Sequence, residues 1–146
     1  MPDRGLVKRR RNPTRSPPGR ANFLETNVNL DNAIQKHAEW KIKLRTAIAK
    51  KESMDAATIG KDNCCELGKW LQAEGKSMFG SLTSFRECAA AHTAFHTAAG
   101  KIATAINAKK YAEAEKMLGA GTAYGDASYA VGGAIIRLKK EAALEA

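Results

Sequence analysis

The chain has 146 residues, a formal net charge of +9 and three cysteines. That length suits one domain, no run of about 18 apolar residues is present to span a membrane, and the Arg-rich start after Met1 lacks the apolar stretch of a signal peptide. An odd cysteine count argues against a disulfide framework, so Cys64, Cys65 and Cys88 are read as cytoplasmic thiols or metal ligands.

The positive charge is concentrated at one end. Residues 1–20 hold seven Arg or Lys and one Asp, a net +6, whereas the other 126 residues hold 17 basic and 14 acidic side chains, a net +3. All four prolines also fall in residues 1–20. Such a composition cannot bury apolar area, so residues 1–28 are expected to form a disordered basic tail and residues 29–146 the folded domain. The tail makes a small basic nucleic-acid-binding helical protein the alternative function. Residues 1–20 contain no aromatic side chain to stack on bases, so nucleic acid is the weaker expectation.

From Asn29 onward helical periodicity dominates and no strand-like alternation is evident. Asn29 is a candidate N-cap for a helix over 29–50, with Leu30, Ile34, His37, Leu44 and Ile48 on its apolar line. A shorter helix is expected over 62–74, opening at Asp62 and carrying Cys64, Leu67 and Leu71 on one face. Gly75 to Gly80 reads as a loop. Ser84-Phe85-Arg86-Glu87 matches a capping box at the head of a helix over 84–107. Along that helix Phe85, Cys88, His92, Phe95, Ala99, Ile102 and Ile106 recur at steps of three and four. A short helix over 109–118 stops at Gly119, and a last one over 122–143 runs through Tyr124, Ala127, Val131, Ile135 and Leu138. The expected fold is all-α: an antiparallel four-helix bundle with one additional short helix.

Two of the three histidines, His92 and His96, are four residues apart in the stretch His92-Thr93-Ala94-Phe95-His96. On a helix that spacing puts both rings on one face, close enough to grip one ion. His92 falls on the apolar line of its helix and His37 on that of the first helix, so the three imidazoles are read as aimed inward. Neutral imidazole is a good zinc ligand, and a structural zinc site takes four ligands. Cys88 lies on the same stripe, but positions 88 and 96 are about 12 Å apart along a helix axis, too far for one tetrahedral ion. The pair on this helix is therefore either Cys88 and His92 or His92 and His96; the second uses all three histidines, its fourth ligand must come from Cys64 or Cys65, and the pattern does not choose between those two.

Three blocks then carry a resemblance: His37-Ala38-Glu39-Trp40, Cys65-Glu66-Leu67-Gly68-Lys69-Trp70, and His92-Thr93-Ala94-Phe95-His96. In order and spacing they resemble the signature blocks of the chemoreceptor zinc-binding (CZB) domain, over about residues 30–140. The Cys-x-Leu-Gly-x-Trp block is the most specific. The resemblance implies a zinc ion held by His37, Cys65, His92 and His96, which selects Cys65 over Cys64. It also implies a cytoplasmic helical regulatory module that often dimerises, found on chemoreceptors, on diguanylate cyclases and sometimes alone. Neither a methyl-accepting coiled coil nor a GGDEF-type block is present in this chain. Trp40, Trp70 and Phe95 are expected to form a dry shell around the ion. Gly68 is expected to let a neighbouring helix come close.

A thiolate in the fourth position closes the zinc shell and leaves no activated water. No Glu lies inside the His92–His96 stretch to act as a base, and Glu-x-x-His pairs of the di-iron kind are absent. The expected function is therefore a non-enzymatic zinc-binding sensory module, responding to zinc availability or to oxidant attack on Cys65.

Overall fold

The computed structural model describes residues 29–145, with side chains through residue 143. The expected tail, residues 1–28, lies outside the described residues, and with it the basic cluster behind the nucleic-acid alternative. Seven helices follow within the described span: α1 Leu30–Lys50, α2 Ala56–Ile59, α3 Glu66–Gln72, α4 Glu74–Phe79, α5 Thr83–Asn107, α6 Tyr111–Met117 and α7 Ala123–Glu145. The described residues are all-α, as their periodicity predicts.

Three long helices make the frame. The Asp31–Lys139 ion pair at 2.7 Å and the Ser84–Glu141 hydrogen bonds set the starts of α1 and α5 against the end of α7. Helix α7 therefore runs antiparallel to both. The Asn107 side chain bonds both the N–H and the carbonyl of Met54, each at 2.8 Å, which holds the ends of α1 and α5 level. The broken pair α3–α4 supplies the remaining strut of the bundle.

The seam between α5 and α7 is the most extensive packing in the fold. All seven residues of the α5 apolar line are buried, as are Tyr124, Ala127, Val131, Ile135 and Leu138 of α7. Asn29 caps α1 as expected, its side chain accepting from the Asn32 N–H at 2.9 Å.

Several boundaries differ from expectation. The helix expected over 62–74 begins only at Glu66, with Cys65 as its N-cap, so Cys64 lies before the helix and is exposed. Gly75 to Gly80, expected as a loop, lies mostly in helix α4, Glu74–Phe79. The break at Ala73 lets Gly75 lie against the Trp70 ring, where a Cβ would come to 2.7 Å. Helix α2 falls in a stretch for which no element was expected. Asp55 begins it, accepting from the Thr58 N–H at 3.2 Å.

The capping box at Ser84 does not form. Helix α5 starts one residue earlier, and Ser84 donates both its hydroxyl and its N–H to Glu141 of α7. Glu87 pairs instead with Arg137 at 3.5 Å. A carboxylate from another helix thus does the work expected of a local cap, and it puts negative charge at the positive end of the helix dipole. Glu141→Ala is expected to lower the unfolding free energy by about 1–2 kcal/mol, the usual cost of losing a cap, measured as a lower urea midpoint at unchanged slope.

Candidate metal centre

His37 sits in the second turn of α1, with its ring Nδ1 2.7 Å from the Ala33 carbonyl oxygen. A carbonyl only accepts, so Nδ1 carries the proton and Nε2 keeps its lone pair. That Nε2 is buried with no hydrogen-bond partner among the described residues. His96 is fixed in the same way from another element: its Nδ1 lies 2.9 Å from the Ile59 carbonyl oxygen at the end of α2. His92, one turn before His96 on α5, has its ring centroid 4.5 Å from the His96 ring and 5.0 Å from the His37 ring. The Cys65 Sγ is 3.2 Å from His92 Nε2 and 3.6 Å from His96 Nε2. One nitrogen from each histidine and this sulfur all lie within 4.8 Å of one another.

The short elements explain how the loops reach the rings. A Cβ on Gly100 would stand 2.7 Å from the Gly60 Cα, so two glycines allow α2 to lie directly on α5 and present Ile59 to His96. A Cβ on Gly68 would fall on the Asp62 carbonyl oxygen and come within 3.1 Å of the His92 ring. What comes closest at Gly68 is therefore the backbone of the preceding loop, and the neighbouring helix α5 approaches there through its His92 ring. With the loop folded back, Cys65 caps α3, and its Sγ accepts the Gly68 N–H at 3.3 Å.

The three rings are almost fully buried, with 5%, 1% and 3% exposure for His37, His92 and His96. Burial, and then the neighbouring rings His96 and His37, push His92 down to about 3. Burial also lowers His37 and His96 below the usual histidine range. All three are thus neutral near pH 7. Burial raises the Cys65 thiol, outweighing the backbone N–H groups of Gly68 and Leu67 that favour its thiolate. Asp62 stands nearby as a charged group; it accepts from the Thr93 hydroxyl and from Gln72 Nε2 at 3.2 Å.

The donor chemistry fits a borderline-soft divalent cation. Three neutral imidazoles and one thiol converge, no carboxylate is among them, and one ring nitrogen is buried without a partner. Hard cations such as calcium and magnesium require oxygen ligands that this cluster does not offer.

Residues 37–103 match the family model of the chemoreceptor zinc-binding domain. Over that span, 67 of the 146 residues, the chain is similar to the chemoreceptor zinc-binding domain. Searches of curated proteins and of solved structures returned no match. No helix of the described residues is long and apolar enough to cross a membrane.

The other residues singled out in the sequence divide around the four-residue cluster. Phe95 packs edge-on against His37 and His96, with centroids 5.1 and 5.4 Å away. Trp40 is half-buried beside a cleft that reaches His37 and Cys65, and the Lys43 ammonium lies 4.7 Å above its ring. Trp70 packs on Phe79 and Phe85, at 6.0 and 6.2 Å, joining the α3–α4 unit to α5. Cys88 is fully buried, and burial pushes its thiol up to about 12.

Sequence reasoning missed the two carbonyls that orient the rings, at Ala33 and Ile59. The Ile59 carbonyl had one legible signal, an Asp55–Thr58 cap announcing a helical turn.

Gly68→Ala is expected to displace the Asp62 loop and the His92 ring together. The cost is of the order of several kcal/mol, as for other overpacked sites. Thermal unfolding should show a large fall in midpoint, and imidazole ¹⁵N spectra should show His92 shifted more than His37.

Proposed function

We propose that the chain is a cytoplasmic zinc-binding sensory module, without enzymatic activity, built on a closed His37–Cys65–His92–His96 site. The observation that carries this reading is the convergence of those four donors within 4.8 Å in a segment matching the chemoreceptor zinc-binding domain. Zinc, once bound, supplies a bond to each of α1, α3 and α5 and favours the thiolate form of Cys65. The Nδ1 bonds to Ala33 and Ile59 hold His37 and His96 in the tautomer that presents Nε2. Four protein donors leave no open position for water, which is why hydrolytic chemistry is not proposed.

Two inputs act on this site: zinc availability and oxidation of Cys65. The cleft beside Cys65 is about 340 Å³ and is bordered by Lys36, Trp40 and Lys43. It gives a small oxidant a path to the sulfur. With hypochlorous acid, oxygen transfers to the thiolate sulfur, giving sulfenic acid, and chloride leaves. Cys65 is the only one of the four donors that α3 contributes, whereas α5 contributes two, so its loss frees α3 first. We assign the output to a homodimer acting on a signalling partner of chemoreceptor or diguanylate cyclase type.

Metal analysis of the purified chain is expected to give about one zinc per chain. Cys65→Ala should lose most of it, while Cys64→Ala and Cys88→Ala keep it. Retention by Cys65→Ala together with loss by Cys88→Ala would overturn the ligand set.

On treatment of the zinc-loaded protein with hypochlorous acid, Cys65 should oxidise, zinc should be released, and amide exchange should quicken across residues 62–74 before α5. Uniform exchange, or oxidation confined to Cys64 and Cys88, would make the site a structural staple.

A further inference from the structure

The outer face of α7 takes no part in the metal centre. Tyr129 is 88% exposed there and Ile136 48%, two of the three large apolar side chains exposed among the described residues. Between them, in the middle of a 23-residue helix, stand Gly132 and Gly133. A glycine in a helix interior costs about 1 kcal/mol relative to alanine. Nothing among the described residues requires these two. A Cβ on Gly132 would meet nothing within 4 Å, and one on Gly133 would meet only the far end of Arg137 at 3.4 Å. Gly125 differs, since a Cβ there would strike the Gly119 carbonyl oxygen at 2.6 Å.

Asp126, Tyr129, Gly133, Ile136 and Lys140 follow one another at steps of three and four, so they form one stripe, with Gly132 and Lys139 on its border. The stripe is self-complementary about the point between Gly132 and Gly133. In an antiparallel pair of α7 helices crossing there, Tyr129 of each chain meets Ile136 of the other. Asp126, at one end, meets Lys139 and Lys140 at the other. Lys139 is already paired with Asp31 in its own chain, whereas Lys140 has no ion pair among the described residues. A parallel pair would set Asp126 on Asp126 and lysine on lysine. Charge therefore selects the antiparallel arrangement, and a two-fold axis repeats each contact twice.

We propose that α7 is the dimerisation helix: two copies of this chain pair α7 to α7, antiparallel, crossing at Gly132–Gly133, with Tyr129 of each packed on Ile136 of the other. The proposal rests on the homodimer of the preceding reading and adds its surface. The small residues let the backbones approach, and the flanking Tyr129 and Ile136 supply the buried apolar area.

The test is the mass of the full zinc-loaded chain by sedimentation equilibrium over a wide concentration range, with zinc content measured on the same samples. The wild-type chain should be a dimer. Ile136→Glu and Gly132→Leu should be monomers with helicity and zinc content unchanged, because both positions are open in the protomer. Asp126→Lys should weaken the dimer about tenfold, since each substitution acts at two symmetric contacts, and Asp126→Lys with Lys140→Asp should restore it. A dimer that survives both Ile136→Glu and Gly132→Leu overturns this surface and leaves the homodimer standing. A monomeric wild-type chain, including one that instead binds a different protein through α7, overturns both. Absence of zinc in a chain that dimerises through α7 overturns the metal reading alone.

Discussion

Three neutral imidazoles facing one another inside the bundle are the constraint on which the other local features depend. Buried ring nitrogens with lone pairs do not stabilise each other. The Cys65 thiol proton can satisfy only one of the Nε2 atoms near it, and His37 Nε2 has no partner among the described residues. Holding such a cluster in the core costs free energy, as any under-satisfied buried polar group does. The cost is offset elsewhere, by the continuous apolar seam of α5 and α7, whose residues are almost all buried. His92 and His96 ride on the helix that contributes most to that seam.

The seam was also the most legible part of the sequence. The alternating steps of three and four from Phe85 to Ile106 and from Tyr124 to Leu138 correspond to buried positions without exception. Long helices buried along one stripe have little freedom to depart from their period. The three inward histidines followed from the same periodicity, because His37 and His92 lie on the stripes. The choice of Cys65 over Cys64 did not. Helical phasing placed Cys64 on the Leu67–Leu71 line, but the helix does not extend back that far. Its N-terminus is set by the Cys65 sulfur capping Gly68 and by the Asp62 backbone pressed onto Gly68, both contacts outside a periodic pattern.

The short segments were less legible for a related reason. Helices of four to seven residues are not stable alone, so tertiary contacts decide them. The stretch from Gly75 to Gly80 has a glycine at each end and reads as a loop, yet Gly75 is used to seat the Trp70 ring and the chain coils into α4 around it. Helix α2 exists because Gly60 can touch Gly100, and its last carbonyl is the one His96 uses. Ser84 carried a good local capping signal that lost to Glu141, a charged acceptor brought in by α7. In each case a long-range partner outcompeted the local one.

The division between long and short elements also says where a change at the centre would be felt. Helices α5 and α7 are fixed by their own seam, whatever happens to the sulfur. Helix α3 is seven residues long and is held by Leu67, Trp70 and Leu71 together with the cap at Cys65. Converting that sulfur to sulfenic acid alters the atom that both terminates α3 and faces His92. The cap and the donor share that one atom, so the start of α3 would be left to the packing of Leu67, Trp70 and Leu71, and the Asp62 loop to its bonds with Thr93 and Gln72. His96 lies one helical turn further along α5, and although its Nε2 is 3.6 Å from that sulfur its orienting bond is to α2. Phe95, between His37 and Tyr124, carries the same core through to the first turn of α7 with centroid spacings of 5.1 and 5.3 Å. The centre is therefore bordered by a sulfur cap on the short helix α3 on one side and by an aromatic contact to the long helix α7 on the other.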